Sequence, residues 1–251
     1  MAINTTRIKL LFLLLGLALY FSSFLYLGKA EPSGADITSS SSDDGPVIVP
    51  DGRTDLGGRI ITMTLDVVQQ DSAWKAYVGN ITGSLVLRNT NSQSIYEWAL
   101  GDSALGGNIF VSRNDTVNWS AIRCANDTHI LNEEIALGMT NGAADSLNKT
   151  FNYSDHSSMV ISGVGTIANG TCPSTATYVN GTPQVVDSNA YFQEILLSDN
   201  TNIVYATFID QDAKAFDNND TVNSTYDFQI IIGENKTATS GHTYYFYADI
   251  S

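Results

Sequence analysis

Apolar and polar residues alternate with a period of two in several short segments of this chain. In the first segment, Ile61, Met63, Leu65 and Val67 alternate with polar residues. Successive side chains of a β-strand point to opposite faces of a sheet, so this period predicts half-buried strands. Similar segments predict further strands at Ile81–Leu87, Ile95–Leu100, Asn108–Ser112, Met159–Ile167, Tyr191–Leu197, Ile203–Ile209, Tyr226–Ile232 and Thr243–Ile250.

The connections between these segments favour one class of fold. Polar turns separate them, and Ser198–Thr201 is typical of the loop of a β-hairpin. Helical patterns occur only at Trp119–Arg123 and at His129–Leu137, where Gly138 follows. Many short strands without βαβ alternation indicate antiparallel packing. We therefore expect an all-β, antiparallel β-sandwich, Ig-like or jelly-roll-like, with one or two short helices and preceded by an N-terminal hydrophobic helix.

The N-terminal segment carries the features of export. Arg7 and Lys9 precede an apolar run from Leu10 to Leu27. As a helix this run spans roughly 27 Å, close to the ~30 Å hydrocarbon core of a bilayer. The small-x-small sequence Gly28-Lys29-Ala30 is nevertheless typical of a signal-peptidase site. We expect residues 1–30 to be a signal peptide or a transmembrane anchor, which contacts the membrane if it is left uncleaved.

A polar segment separates this apolar run from the predicted strands. Residues 31–58 include Ser39–Ser42 followed by Asp43, Asp44 and Gly45, a composition that buries too little apolar surface to fold. We predict a flexible Ser/Asp/Gly-rich stalk over 31–58 and a β-sandwich ectodomain over 59–251. The protein is then extracellular or on the cell surface, either tethered to the membrane or secreted.

The charge of the chain disfavours one class of partner. The formal net charge is −14, and charged residues form 15% of the chain, against ~25% in an average soluble protein. The three basic residues before Glu31 belong to the export segment, so the ectodomain is more acidic still. Such a surface repels phosphate backbones. We therefore expect no nucleic-acid partner.

Asn-x-Ser/Thr sequons are unusually dense. Eleven lie beyond the N-terminal segment, more than we expect by chance, and they predict glycans on the loops of an exported domain. Coincidental sequons in a chain rich in Asn, Ser and Thr are the alternative. The candidate asparagines are Asn80, Asn114, Asn118, Asn126, Asn148, Asn152, Asn169, Asn180, Asn219, Asn223 and Asn235.

Cys124 and Cys172 are the only cysteines. In an oxidising compartment an even number of cysteines favours a disulfide, although two free thiols are the alternative. Their spacing is not that of a zinc site. A disulfide between them would stabilise the fold by ~3–4 kcal/mol.

Catalytic patterns are missing from the sequence. The three histidines, His129, His156 and His242, form no HExxH motif, and there is no GxSxG. A nucleophile pair of Cys124 with His129 is improbable if Cys124 is oxidised, and Glu133-Glu134 is interpreted as the polar face of a short helix. We expect a protein that is not an enzyme and needs no cofactor.

One acidic loop is a candidate calcium site. Asp210, Asp212, Asp217 and Asp220 alternate with amide side chains, and oxygen ligands on a loop suit Ca²⁺. A solvated turn is the simpler interpretation, because oxygen-rich loops are common. A structural Ca²⁺ is therefore kept only as an alternative.

Tryptophan has two interpretations. Trp74, Trp98 and Trp119 could form a platform on which sugars stack, or they could fill the core of the sandwich. We favour core packing, because Trp98 alternates with Tyr96 and Leu100.

Several segments resemble an uncharacterised family of archaeal cell-surface proteins from small-genome lineages. They are Trp74–Leu87 (WKAYVGNITGSLVL), Val117–Asn126 (VNWSAIRCAN), Tyr226–Ile232 (YDFQIII) and Thr243–Ile250 (TYYFYADI). The resemblance implies an archaeal envelope context over most of residues 60–251. It implies no activity and no site residues.

Together these features predict a non-enzymatic, exported surface glycoprotein with a structural or adhesive role, either in an envelope coat or as a filament or appendage subunit. Its partners would be further copies of itself or molecules of a cell surface. The alternative is an extracellular module that binds a ligand or glycan, with or without Ca²⁺. An extracellular hydrolase is the weakest hypothesis, because no nucleophile or metal set is visible.

Overall fold

A computed structural model describes residues 31–37, 39–40, 73–81, 83–88, 94–100, 106–179, 182–210, 214–215, 225–235 and 242–250. Within these ranges β-strands predominate, with two short α-helices and one 3-10 turn. The strands are β1 Ser33–Gly34, β2 Trp74–Gly79, β3 Gly83–Arg88, β4 Ser94–Leu100, β5 Gly107–Ser112, β6 Arg123–Cys124, β7 Met159–Ile161, β8 Gly165–Ile167, β9 Ser174–Ala176, β10 Gln193–Ser198, β11 Ile203–Phe208, β12 Lys214–Ala215, β13 Thr225–Tyr226, β14 Phe228–Gly233 and β15 Tyr245–Ile250. The helices are α1 Asp127–Ala136 and α2 Leu147–Thr150, and the 3-10 turn is Trp119–Ala121.

The main sheet is antiparallel throughout. Its strands lie in the order β1-β15-β5-β11-β10, and both β6 and β9 pair with the outer edge of β10. Outside it, β14 pairs with β2 to form a two-stranded ribbon, and β3–β4, β7–β8 and β12–β13 form separate pairs. The predicted class is confirmed at this level: the described chain is mostly antiparallel β-sheet with few short helices.

Both faces of the main sheet are buried. On one face, side chains such as Val111, Leu196 and Tyr205 pack with Ile230 and Ile232 of the ribbon. The helix α1 joins this layer through Ile130. Because strands buried on both faces have no polar face to present, β10 is buried at every position and β11 at all but its last.

The opposite face forms a second apolar cluster. Phe110, Leu197 and Val204 pack here against Met159 of β7 and against Trp119 of the 3-10 turn. The rings of Phe110 and Trp119 meet edge to face, with their centroids 5.3 Å apart. Edge-to-face pairs of this kind add to the stability gained from burial of apolar area.

Several predicted elements are confirmed. The hairpin loop at Ser198–Thr201 joins β10 to β11, with Ser198 opposite Ile203. The helix predicted at His129–Leu137 is α1, which begins at Asp127 and ends before Gly138, whose φ of +65° suits glycine. The turn predicted near Trp119 is the 3-10 turn.

Other predictions are corrected or lie outside the described residues. Met159–Ile167 is not one strand but the hairpin β7–β8, because Gly163, with a φ of +75°, turns the chain back. Tyr226–Ile232 is interrupted at Asp227, whose carboxylate accepts a hydrogen bond from the Ile81 N–H. The strand predicted at Ile61–Val67 and the N-terminal hydrophobic helix lie outside the described ranges.

A short part of the predicted stalk pairs with the sheet. Ser33 and Gly34 of β1 lie opposite Ala248 and Tyr247 of β15, and the Ala35 N–H donates to the Phe246 carbonyl at 2.8 Å. This segment therefore covers part of the outer edge of β15. Within the described ranges no helix is long and apolar enough to cross a bilayer; the predicted export segment, residues 1–30, lies outside them.

Candidate functional site

The sequon asparagines of the described chain are all accessible. Five are exposed, namely Asn80, Asn118, Asn126, Asn152 and Asn169, and three are half-buried, namely Asn114, Asn148 and Asn235. Each lies outside the β-strands, in loops, turns or helix termini. Asn180, Asn219 and Asn223 lie outside the described residues. The described sequons therefore lie in the segments that connect or cap the strands and helices.

Two sequons follow β5 at one end of the main sheet. The Ser120 hydroxyl donates to the Asn118 side-chain oxygen at 2.7 Å, so the two defining residues of that sequon touch. The Asn114 side chain forms an Asx turn, in which its Oδ1 accepts from the Thr116 N–H at 3.3 Å. The Asn114 amide nitrogen donates to the Thr116 carbonyl at 2.8 Å, whereas the Asn118 amide nitrogen, where a glycan would be attached, makes no hydrogen bond with the described residues.

A third sequon begins a helix. Asn126 is the N-cap of α1, and its Oδ1 accepts from the His129 N–H at 3.0 Å. The His129 Nδ1 in turn accepts from the Asn126 N–H at 3.3 Å, which completes a reciprocal cap. Only the oxygen of the Asn126 side chain takes part, so a glycan on its nitrogen is compatible with the cap.

An open groove of about 390 Å³ lies beside the start of α1. Its lining includes Asp127, Ile130, Asn148, Asn152 and Tyr153. Tyr153 is about half exposed, at 52%, as an aromatic ring that stacks on a ligand must be. However, Asn148 and Asn152 are themselves sequon asparagines, so glycans attached there would occupy the rim of the groove.

The two glutamates of α1 are not its polar face, and that interpretation is wrong. Glu133 is 6% exposed and Glu134 is fully buried, whereas Leu131 and Ile135 are exposed. The Glu133 carboxylate accepts from Arg113 Nε at 2.8 Å and from Nη2 at 2.5 Å, a bidentate pair. The Glu134 carboxylate accepts from the side-chain nitrogen of Asn141 and the backbone nitrogen of Asn148.

Sequence spacing contains the signal for this burial. Ile130, Glu133, Glu134 and Leu137 follow the i, i+3, i+4, i+7 spacing of one helix face. Since Ile130 and Leu137 are buried in the core, the two glutamates between them face inward as well.

The cysteines form a disulfide, as the sequence predicts. Cys124 and Cys172 are bonded, with their Cα atoms 4.8 Å apart. Cys124 lies in β6 opposite Leu197, and Cys172 precedes β9, whose Ser174 lies opposite Ile195. Between these pairings, the Leu196 carbonyl accepts from the Ala125 N–H and the Leu196 N–H donates to the Pro173 carbonyl. The disulfide thus joins two short segments into one composite edge strand alongside β10.

All three histidines have structural contacts, and that of His242 is through its backbone N–H, which donates to Glu234 Oε1 at 3.3 Å. His156 is fully buried, and its Nε2 accepts from the backbone N–H groups of Thr171 and Cys172 at 3.0 and 2.9 Å. Its Nδ1 is therefore the protonated nitrogen, and it donates to the Ser157 carbonyl at 2.7 Å. His129 caps α1, and burial followed by the charge of Arg123 lowers its pKa. Cys124 is oxidised, so it forms no nucleophile pair with His129.

The predicted calcium loop is described only at its start. The Asp210 carboxylate accepts from the Phe192 N–H at 3.2 Å, and the Asp210 N–H donates to the Asp227 carbonyl. Asp212, Asp217 and Asp220 lie outside the described residues. Among the residues that are described, no three His, Cys, Asp or Glu side chains are grouped as a metal site requires.

Trp119 packs in the core, as predicted. Its side chain is 7% exposed. Trp74 is half-buried, and its indole nitrogen donates to the Asp145 carbonyl at 2.9 Å. The side chain of Trp98 lies outside the described part of the structure.

Comparison of the chain with protein-family models, with curated proteins and with solved structures finds no match. A functional conclusion therefore depends on the residues and geometry of this chain.

Proposed function

We propose that this protein is an exported, non-enzymatic surface glycoprotein with a structural or adhesive role. The observation that carries the proposal is the distribution of its sequons. Every described sequon asparagine is exposed or half-buried and lies outside the strands. Glycosylation requires an accessible side chain on a surface loop of an exported protein.

The disulfide supports the same compartment. Disulfides persist in oxidising environments and are rare in the cytosol of mesophiles. Cys172 is fully buried, and the bond closes the composite edge strand. The acidic net charge of −14 and a coat of glycans would both keep such a domain soluble.

The architecture suits a coat or an appendage. We infer that the domain is a β-sandwich of the Ig-like or jelly-roll-like kind, since the β2–β14 ribbon packs on the main sheet. Residues 1–30 would direct export, as a cleaved signal or as an anchor, and the stalk would hold the domain away from the membrane. Contacts between copies of the chain, or with a neighbouring cell, would then use loops and glycans.

Glycopeptide mass spectrometry of the protein purified from its native envelope tests the proposal. Peptides that contain Asn118, Asn126 and Asn152 are expected to carry an added glycan mass. Peptides that contain Asn132 or Asn202, which are not in sequons, serve as controls and should match their sequence mass. Unmodified peptides at all described sequons would contradict the proposal.

Microscopy separates the structural role from an isolated adhesin. Antibody against residues 59–251, used with electron microscopy of the native surface, is expected to label a lattice or filaments. Scattered label together with a monomeric purified protein would contradict assembly. Fractionation of the same cells decides whether residues 1–30 are retained as an anchor.

The groove beside α1 favours a second candidate function, binding of an extracellular glycan. Tyr153 offers an exposed ring, and Asp127, Asn152 and Ser154 offer polar groups around it. Calorimetry of the native protein, first with Ca²⁺ and then with a panel of oligosaccharides, tests this candidate. Heat that is lost in a Tyr153→Ala variant but kept in a Tyr178→Ala variant, in which another exposed tyrosine is replaced, would support it. If neither ligand gives heat, the binding candidate fails.

A further inference from the structure

A buried threonine and a buried glutamine meet between the main sheet and the β2–β14 ribbon. Thr177 follows β9 and is 8% exposed, and Gln229 lies in β14 and is 1% exposed. The Gln229 side-chain nitrogen donates to the Thr177 hydroxyl oxygen and to the Tyr178 carbonyl, the latter at 2.7 Å. The hydroxyl oxygen of Thr177 therefore lies beside the amide group of Gln229.

The other half of this amide is unsatisfied. Gln229 Oε1 is buried and accepts no hydrogen bond from the described residues. A buried carbonyl oxygen without a hydrogen-bond donor destabilises the fold by roughly 1–3 kcal/mol. This cost would be removed by a donor to Gln229 Oε1 or by a chemical change of the Gln229 amide.

A buried acid lies along the same edge of β14. Glu194 is fully buried, and its Oε2 accepts from the N–H of Ile231, two residues beyond Gln229, at 2.9 Å. Its Oε1 and the hydroxyl oxygen of Thr207, the residue opposite it in β11, have no hydrogen-bond partner within the described ranges. Burial raises the pKa of Glu194 well above its ordinary value, and the bond from Ile231 opposes this only in part. The carboxyl group is therefore able to hold a proton where it contacts β14, two residues from Gln229.

We propose that Thr177 and Gln229 form an intramolecular ester cross-link. A bond forms between Thr177 Oγ1 and Gln229 Cδ, and the Cδ–Nε2 bond breaks. The hydroxyl proton leaves with the amide nitrogen as ammonia, so atoms and charge balance and nothing is oxidised or reduced.

The surroundings favour this condensation. The Thr177 hydroxyl and the Gln229 amide are held in contact, so their reaction is intramolecular and avoids much of the entropic barrier of a bimolecular step. We assign Glu194 two roles in this step: its proton stabilises the negative charge that develops on Gln229 Oε1, and its carboxylate form accepts the Thr177 proton. The low exposure of both residues excludes water, which would otherwise hydrolyse the ester.

The cross-link has a definite structural effect. Thr177 and Gln229 are 52 residues apart in the chain. Thr177 is continuous with β9 and the composite edge strand, whereas Gln229 belongs to the ribbon. A covalent bond between them fixes the ribbon to the sheet on which it packs.

Peptide mass spectrometry of the full-length protein, reduced and then digested, tests the proposal. A species that joins the Thr177 peptide to the Gln229 peptide is expected, with a mass equal to their sum less one ammonia. Hydroxylamine, which cleaves esters and, among peptide bonds, mainly Asn–Gly bonds such as Asn180-Gly181, should separate the two. Recovery of both peptides unlinked at their sequence masses would overturn the proposal.

Three single substitutions test which residues form the cross-link and which residue assists its formation. Thr177→Val should abolish the linked species, whereas Thr175→Val, which replaces another buried threonine, should keep it. Glu194→Gln should slow the appearance of the link after refolding by about 100-fold. An unchanged rate in Glu194→Gln would contradict the role of Glu194, and a linked species that persists in Thr177→Val would contradict the assigned bond.

Discussion

Asp199, at the tip of the β10–β11 hairpin, organises one end of the main sheet through its carboxylate. Oδ1 accepts from the N–H groups of Thr201 and Asn202 at 2.9 and 2.7 Å, and Oδ2 accepts from the Asn118 N–H at 3.4 Å. Burial acts to raise the pKa of this carboxyl, but the hydrogen bonds outweigh burial and leave the pKa below its ordinary value of 3.8. The carboxylate therefore stabilises the loop that presents the Asn118 sequon.

Replacement of Asp199 by Asn should make stability less dependent on pH. The pKa of the Asp199 carboxyl is lower in the folded state than in the unfolded state, so the carboxylate stabilises the fold at any pH above its unfolded-state pKa. This stabilisation is lost as the pH falls through the folded-state pKa. We expect Asp199→Asn to lower the free energy of unfolding by roughly 1–2 kcal/mol at neutral pH. The difference from the wild type should shrink below about pH 4.

Urea denaturation across this pH range measures the effect. Asp36→Asn is the matched control, because Asp36 is an exposed carboxylate, and it should leave stability unchanged at every pH. A difference between Asp199→Asn and the wild type that is the same at neutral and acidic pH would contradict this account.

Individual side chains were the least predictable part of the structure. Trp119 and the cysteines follow rules of composition and compartment, and they were predicted. Glu133 and Glu134 were not, because the rule that a charged residue faces solvent was given more weight than the helix spacing that places them between Ile130 and Leu137. The partner that makes burial of Glu133 tolerable is Arg113, twenty residues earlier, and local patterns do not reveal a pair at that separation.

At the scale of elements, the pairing of β5 with β15 depends on one glycine. Gly107 has a φ of +129°, and a Cβ atom placed there would lie 1.9 Å from the Asp249 carbonyl oxygen. No rotation of a side chain relieves a clash between Cβ and backbone. The chain therefore needs glycine where β5 begins.

Gly107→Ala should separate the ends of β5 and β15. We expect a loss of more than about 2 kcal/mol in the free energy of unfolding, the range of clashes and strained backbone. Gly34→Ala in β1 is the matched control, because a Cβ atom there meets no atom within 4 Å, and its effect should stay within about 0.5 kcal/mol. Equal midpoints of thermal unfolding for the two variants would contradict the expected clash between a Cβ atom at position 107 and the Asp249 carbonyl.

Elements were predicted where period and turn chemistry agree. The β10–β11 hairpin and α1 have clear turn or cap residues, and the sequence predicts the bounds of both to within two residues. The sequence does not predict β2, because its six residues do not alternate strictly between apolar and polar, nor β6 and β9, because strands of two or three residues carry no measurable period. The sequence of β6 or β9 alone does not show that it pairs with β10; only the tertiary fold decides it.

For the whole molecule, the disulfide holds the composite edge strand together. Cys124→Ser/Cys172→Ser should lower the free energy of unfolding by roughly 2–4 kcal/mol. Hydrogen exchange should increase at the amides of Ala125 and Leu196, which bridge the two segments. Amides of the central β5–β11 pair should change least and serve as the internal control. Uniform loss of protection across the sheet would contradict a local role for the bond.

The order in which the strands leave the ribosome gives the sheet a particular folding problem. The central strand β5, residues 107–112, has one neighbour in β11 and the other in β15, residues 245–250. Contacts between such distant segments slow folding, because a long loop must close before they form. The sheet is therefore completed only after residue 250 has been synthesised. Until then one edge of β5 is open, and a nascent chain of this protein needs either rapid passage out of the cell or a chaperone on that edge.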